Sequence, residues 1–160
     1  MAKQKSWREK LADAKDLPKV VPLTGKAGER WGAGTMAIPA PLDVDAIMRR
    51  VPTGRLITIS EVRDRVAAQH EATVACPLTS GIFAWIAAHA AEEAAAEGET
   101  DVTPYWRTLK SGGELNPKYP GGIERQRERL EAEGHRVVPK GKRWVVADYE
   151  GRLAAGQAGE

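Results

Sequence analysis

The sequence predicts a mainly α-helical domain with small β elements: a winged helix-turn-helix with a C-terminal β-hairpin and an irregular N-terminal arm. Three observations predict it. Two short amphipathic helices flank a β-prone run between residues 43 and 67, a long alanine-rich helix follows Cys76-Pro77, and two apolar runs near the C-terminus flank a Lys/Gly turn. Two helices joined by a short break, with a strand ribbon nearby, outline that fold.

Residues 1–40 read as a poorly structured basic arm. Ser6-Trp7-Arg8-Glu9-Lys10-Leu11 starts a short helix, but beyond Pro18 the residues Pro22, Gly25, Gly28, Gly32, Gly34 and Pro39 recur too often for regular elements. Trp7 and Trp31 are the residues able to pin the arm. The domain itself spans 41–136. Asp43 caps a helix with an apolar face of Val44, Ile47, Met48 and Val51, stopped by Pro52-Thr53-Gly54. Arg55-Leu56-Ile57-Thr58-Ile59 is β-prone. Ser60 caps the second helix, with Glu61 and Asp64 in its first turn and Val62, Val66 and Ala67 on its buried side. Thr79 or Ser80 caps the long helix, which runs to about Glu97 and ends at Gly98. Its Phe83, Trp85 and Ile86 read as core. A Gly/Pro-rich loop covers Asp101 to Gly122, and a charged helix spans Ile123 to Glu133. A hairpin fills 137–150, turning at Pro139-Lys140-Gly141-Lys142, and 151–160 reads as a frayed tail.

Composition narrows the class. The 160 residues suit one domain plus tails, and a 42% hydrophobic content supports a modest core. The net charge is only +2, but its distribution is uneven: residues 1–40 carry eight Lys/Arg against four Asp/Glu, 41–104 five against ten, and 105–160 eleven against eight. Basic ends suit nucleic acid or solubility equally. The single cysteine, Cys76, excludes an intrachain disulfide and fits a reducing compartment. No apolar run reaches signal-peptide or membrane-span length, so the expected location is cytoplasmic. His70, His89 and His135 are too scattered for a metal site, and no cofactor is expected.

Four segments carry a resemblance. Val51-Pro52-Thr53-Gly54-Arg55-Leu56-Ile57-Thr58, Pro104-Tyr105-Trp106-Arg107-Thr108, Tyr119-Pro120-Gly121-Gly122-Ile123 and Leu130-Glu131-Ala132-Glu133-Gly134-His135 occur in that order. They resemble the I-P-x-G-x-V-x-T, P-C-H-R-V, Y-x-G-G-L and L-L-x-x-E-G segments of the C-terminal domain of the alkylguanine-DNA alkyltransferases. The resemblance covers about residues 42–136 and leaves out the arm and the hairpin. It implies a helix-turn-helix docked in the DNA minor groove, with a damaged base flipped into a pocket beside a reactive cysteine.

The same segments depart from the family where its chemistry lies. Tyr105 stands at the cysteine position and Trp106 at the histidine position. A phenol is mostly protonated near neutral pH and an indole is no base, so alkyl transfer is not expected. Cys76 has no His/Glu relay in the sequence around it and reads as a small buried hydrophobe. The strand tyrosine is replaced by Ile59, and the arginine finger has no equivalent, with Thr79 or Ser80 nearest. From Pro77 to Glu97 there is no Lys or Arg. The closest kind is the alkyltransferase-like branch, which lacks the cysteine and binds alkylated DNA without catalysis.

The expected function is therefore non-enzymatic binding of double-stranded DNA, with recognition of alkylated or otherwise modified bases for repair signalling and a repair factor as protein partner. The DNA- and base-binding candidates are Thr79, Ser80, Gly81, Pro104, Tyr105, Trp106, Arg107, Lys110, Tyr119, Gly121, Gly122 and Arg125. Several have plainer readings: Tyr105 and Trp106 as a plug in the old pocket, Arg107 as a partner of Glu133, the Gly pair as turn geometry. Arg125, Arg127 and Arg129 alternate with acids as a salt-bridged face. Lys140, Lys142 and Arg143 fit either a DNA-backbone wing or a solvated turn. The alternative function is a winged-helix protein-interaction module that has lost DNA binding. An unrecognised enzyme has no converging acid, base and nucleophile behind it.

Overall fold

The computed structural model describes residues 6–154. The arm is regular rather than irregular. Helix α1 (Trp7–Ala12), strand β1 (Lys19–Pro22), helix α2 (Gly25–Trp31) and strand β2 (Thr35–Ile38) follow in order. Most of the Gly and Pro residues sit at element ends, where they start and stop structure instead of preventing it: Pro22 closes β1, Gly25 opens α2 and Gly32 caps it. A capping box starts α1, in which the Ser6 hydroxyl accepts from the Glu9 N–H and the Glu9 carboxylate accepts from the Ser6 N–H. Strand β1 pairs antiparallel with β2 from Lys19↔Ile38 to Pro22↔Thr35. β2 pairs parallel with β4 (Val74–Ala75), which stitches the arm into the domain. Gly34 is required there, because with φ at 144° a Cβ would collide with the Thr73 side chain.

Helix α3 (Pro41–Arg49) buries Val44, Ile47 and Met48 as expected, but Asp43 caps it from inside. Asp43 is the third helical residue, and its carboxylate accepts the Ala40 N–H at 3.0 Å. The β-prone run shrinks to β3 (Ile57–Thr58), paired parallel with β5 (Thr108–Leu109). Helix α4 (Ile59–Gln69) therefore begins one residue before Ser60, and Thr58 is its cap, accepting from the Glu61 N–H. Helix α5 (Pro77–Ala96) likewise starts earlier than expected. Proline is tolerated at its first position, so Cys76 is the cap and Thr79 and Ser80 fall inside the first turns. Ala84, Ala87, Ala88 and Ala91 are buried in the main core with Val44, Ile47, Met48, Val62 and Val66. Small residues line that side of α5, so α3 and α4 approach it closely.

The segment 101–122 is not bare loop. Tyr105–Arg107 and Ser111–Gly113 form 3₁₀ turns on either side of β5. Helix α6 (Gly122–Ala132) follows, and the expected hairpin is β6 (Val137–Lys140) and β7 (Arg143–Val146), joined at Gly141-Lys142. A second core holds Leu56, Leu109, Leu115, Leu130, Val137 and Val146. Residues 151–154 are docked rather than frayed: the Leu56 N–H donates to the Arg152 carbonyl at 2.9 Å and the Ala154 N–H to the Leu56 carbonyl at 2.7 Å. The remainder of the expected tail, 155–160, lies outside the described residues. Among the described residues no helix is long and apolar enough to cross a membrane.

Candidate nucleic-acid interface

The 3₁₀ turn at 105–107 hangs three side chains on two carboxylates. Tyr105 is fully buried, edge-on to the rings of Trp106 and Tyr119, each 5.4 Å away. Its hydroxyl donates to Glu92 Oε2 at 2.6 Å. Burial, followed by that contact with Glu92, pushes the phenol far above its ordinary range, so a phenolate nucleophile is excluded near neutral pH. Glu92 is also held by Arg125 and Arg129, each at 3.1 Å. Burial acts to raise the Glu92 pKa, but the Tyr105 hydrogen bond and the two guanidinium groups outweigh it and lower it.

Trp106 is half-buried and donates its indole N–H to Glu133 at 2.9 Å. Arg107 reaches both oxygens of Glu133, the Val51 carbonyl at 2.7 Å and Thr53 Oγ1 at 2.9 Å. Here too burial raises the carboxylate pKa and the Arg107 and Trp106 hydrogen bonds more than reverse it. The Arg107–Glu133 pair is present; of the two residues read either as base contacts or as a plug, Tyr105 is packed into the core and Trp106 is half-buried. Pro104, Tyr105, Tyr119 and Ser80 are buried, and Gly121-Gly122 is the turn that feeds α6, with the Gly122 N–H donating to the Tyr119 carbonyl. None of these four buried side chains offers a face to a base. Cys76 is half-buried, and among the described residues no side chain hydrogen-bonds its sulfur.

An open groove lies beside this plug. It encloses about 750 Å³, within the range of small-molecule sites. One wall is the solvent side of α5, where Leu78, Ile82, Trp85 and His89 recur at helical spacing. Leu78 is 70% and Ile82 41% exposed. The opposite wall is Lys110 and the run Asn116-Pro117-Lys118. The Trp85 indole N–H donates to the Lys118 carbonyl at 3.1 Å and ties the walls together. At the His89 end, Trp7 of α1 stacks on the imidazole at 4.3 Å and meets Trp85 edge-on at 4.8 Å. Burial lowers the His89 pKa, so its ring is neutral at physiological pH.

Of the candidates read from the sequence, the groove brings together Gly81 and Lys110. Arg125 is exposed but paired with Glu92, and Thr79 is half-buried. Leu78, Ile82 and Asn116 were missed, and Trp85 is a groove residue rather than core. The signal was present in α5: its core side is alanine, so the large side chains had to be on the other side.

No family model matches the sequence, and no curated protein matches it. Solved structures do. The chain is similar to S. pombe Atl1 as crystallised in complex with damaged DNA containing O6-carboxymethylguanine, at 19% identity and a TM-score of 0.52, covering 71% of this chain and 93% of that one. It is equally similar to S. pombe ATL in complex with DNA, at 20% identity, TM-score 0.52 and the same coverage. At this identity the likeness is one of architecture: over most of its length the chain has the fold of S. pombe Atl1.

Proposed function

We propose that the chain is a non-enzymatic, alkyltransferase-like DNA-binding protein of the cytoplasm that reads a modified base in the groove between α5 and Asn116-Pro117-Lys118. The observation that carries the reading is the groove itself: exposed Leu78 and Ile82 and half-exposed Trp85 facing Lys110 and Lys118, on a fold shared with a protein crystallised on damaged DNA. In this reading α4 and α5 act as the helix-turn-helix and the β6–β7 hairpin as its wing. Gly81 and Thr79 let α5 approach the duplex closely, Lys110 and Lys118 meet phosphates, and Trp85 stacks on an extrahelical base. Tyr105 supports the absence of transfer chemistry, because the residue at the cysteine position is a buried, protonated phenol.

The test is fluorescence anisotropy with a plain duplex and one carrying a single O6-methylguanine, across a salt series. Tighter binding to the modified duplex, with the methyl group retained on the base afterwards, is expected. Binding to neither duplex at low salt sinks the reading and favours a protein-interaction module that uses the same apolar groove.

A further inference from the structure

Helix α5 carries no Lys or Arg, yet phosphate neutralisation dominates affinity for duplex DNA. Among the described residues Lys118 on the groove wall makes no ion pair, and further cations stand beside the groove on the hairpin, which the alkyltransferase segments do not reach. We propose that the hairpin tip, Lys140, Lys142 and Arg143 with Lys110 beside it, is a phosphate-binding wing that extends the DNA contact beyond the groove. The proposal rests on the DNA-binding reading above.

The tip turns at Gly141-Lys142, and residues 140–143 are exposed. Among the described residues neither Lys140 nor Lys142 makes an ion pair, and Arg143, 71% exposed, reaches only Glu114 at 3.8 Å. Glu114 also faces Lys110 at 3.9 Å. It is the single carboxylate in a cleft of about 390 Å³ between the tip and Ser111-Gly112. Four cations against one acid leave a positive surface whose complement is a polyanion.

The wing is fixed to the groove by backbone. Lys110 forms the groove rim, and its N–H donates to the Glu114 carbonyl at 2.8 Å. The next residue, Leu115, donates its N–H to the Trp144 carbonyl of β7 at 2.8 Å. Rim and wing therefore belong to one bonded unit, and Asn116-Pro117-Lys118 continues it into the groove wall. Gly113, at φ 81°, lets the Tyr149 ring pack directly on this loop. On the other side the Ser111 hydroxyl lies 2.8 Å from that of Ser60, which ties the loop to the first turn of α4.

The experiment compares the wild type with a Lys140→Gln, Lys142→Gln, Arg143→Gln triple variant on the plain and methylguanine duplexes over a salt series. Each phosphate contact contributes a slope of about 0.9 in log K against log salt, so the slope becomes shallower by about 2 to 3 in the triple variant. Affinity falls by the same factor on both duplexes, because phosphate contacts carry no base information. The single Lys142→Gln variant, changed only in the exposed turn, gives a slope shallower by about 1 and holds if the triple variant folds poorly. A wild-type slope in both variants, with the wild type binding DNA, overturns the wing and leaves the groove reading standing. An acidic protein surface as the true occupant gives that result too. Failure of the wild type to bind either duplex overturns both.

Discussion

Tyr105 donates its phenolic hydrogen to Glu92 across 2.6 Å, from a ring with no exposed surface. That contact makes the residue at the cysteine position a structural post. Tyr105→Phe keeps the ring and loses the hydrogen bond, while Arg125 and Arg129 still hold Glu92. The expected cost is about 1 kcal/mol. Tyr105→Ala opens a core cavity and costs about 3–5 kcal/mol. Chemical denaturation of both variants checks this. A base-stacking role gives the opposite result: near-normal stability and lost DNA binding.

Arg107 and Glu133 hold each other with side chains only 12% and 11% exposed. Glu133→Ala leaves a guanidinium with the Val51 carbonyl and Thr53 as remaining partners and strips the Trp106 indole of its acceptor. A loss of about 3–5 kcal/mol is expected. Arg107→Ala costs a similar amount. The double variant loses clearly less than the sum, since neither charge is then stranded. Additive losses in a denaturation cycle contradict the pair.

The sequence shows some of these features and hides others for physical reasons. The apolar faces of α3 and α4 are legible because burial of Val44, Ile47, Met48, Val62 and Val66 follows the helical period. The Arg107–Glu133 pair is legible only through the resemblance, since 26 residues separate its members. The ordered arm is hidden because β1 and β2 depend on a tertiary partner, β4, some forty residues on. Trp85 is misread because an aromatic at helical spacing signals core, and only the alanines opposite reverse that sense. The Asn116-Pro117-Lys118 wall has no local signal at all. It is a groove wall only because the chain returns there beside α5.

Trp85 is half-exposed, and its ring lines the groove opposite Lys110. Trp85→Ala is expected to weaken binding to the methylguanine duplex by about tenfold, from the roughly 1–3 kcal/mol a stacked base contributes. Plain-duplex binding and its salt slope stay near wild type, because no cation is removed. Equal weakening on both duplexes places the loss in the scaffold, since the Lys118 carbonyl loses its indole donor as well.

Acidification destabilises the protein in two stages. His89 and His135 both have lowered pKa values, burial being the largest cause in each. The folded state therefore favours the neutral rings, and the unfolded chain binds more protons once pH falls below the ordinary value of 6.5. Stability is complete above that value and declines as pH drops from it toward the folded pKa values. Glu92 and Glu133 are lowered from 4.5, with burial opposing the shift and the Tyr105, Arg107 and Trp106 hydrogen bonds dominating it. Their contribution is present above 4.5 and is lost as pH falls below it. All four groups act with the same sign, so the melting temperature holds above about pH 6.5, falls below it and falls again below about pH 4.5. His135 separates the stages, since it is 6% exposed and neither ring nitrogen has a hydrogen-bond partner among the described residues. His135→Phe removes a titrating group and two unsatisfied polar atoms but inserts a larger ring, so the shape of its pH profile, not its stability near neutral pH, is the readout. The variant reduces the first decline while the second stays. Thermal melts across the pH series check it, and an unchanged first decline in His135→Phe assigns that stage to His89 alone.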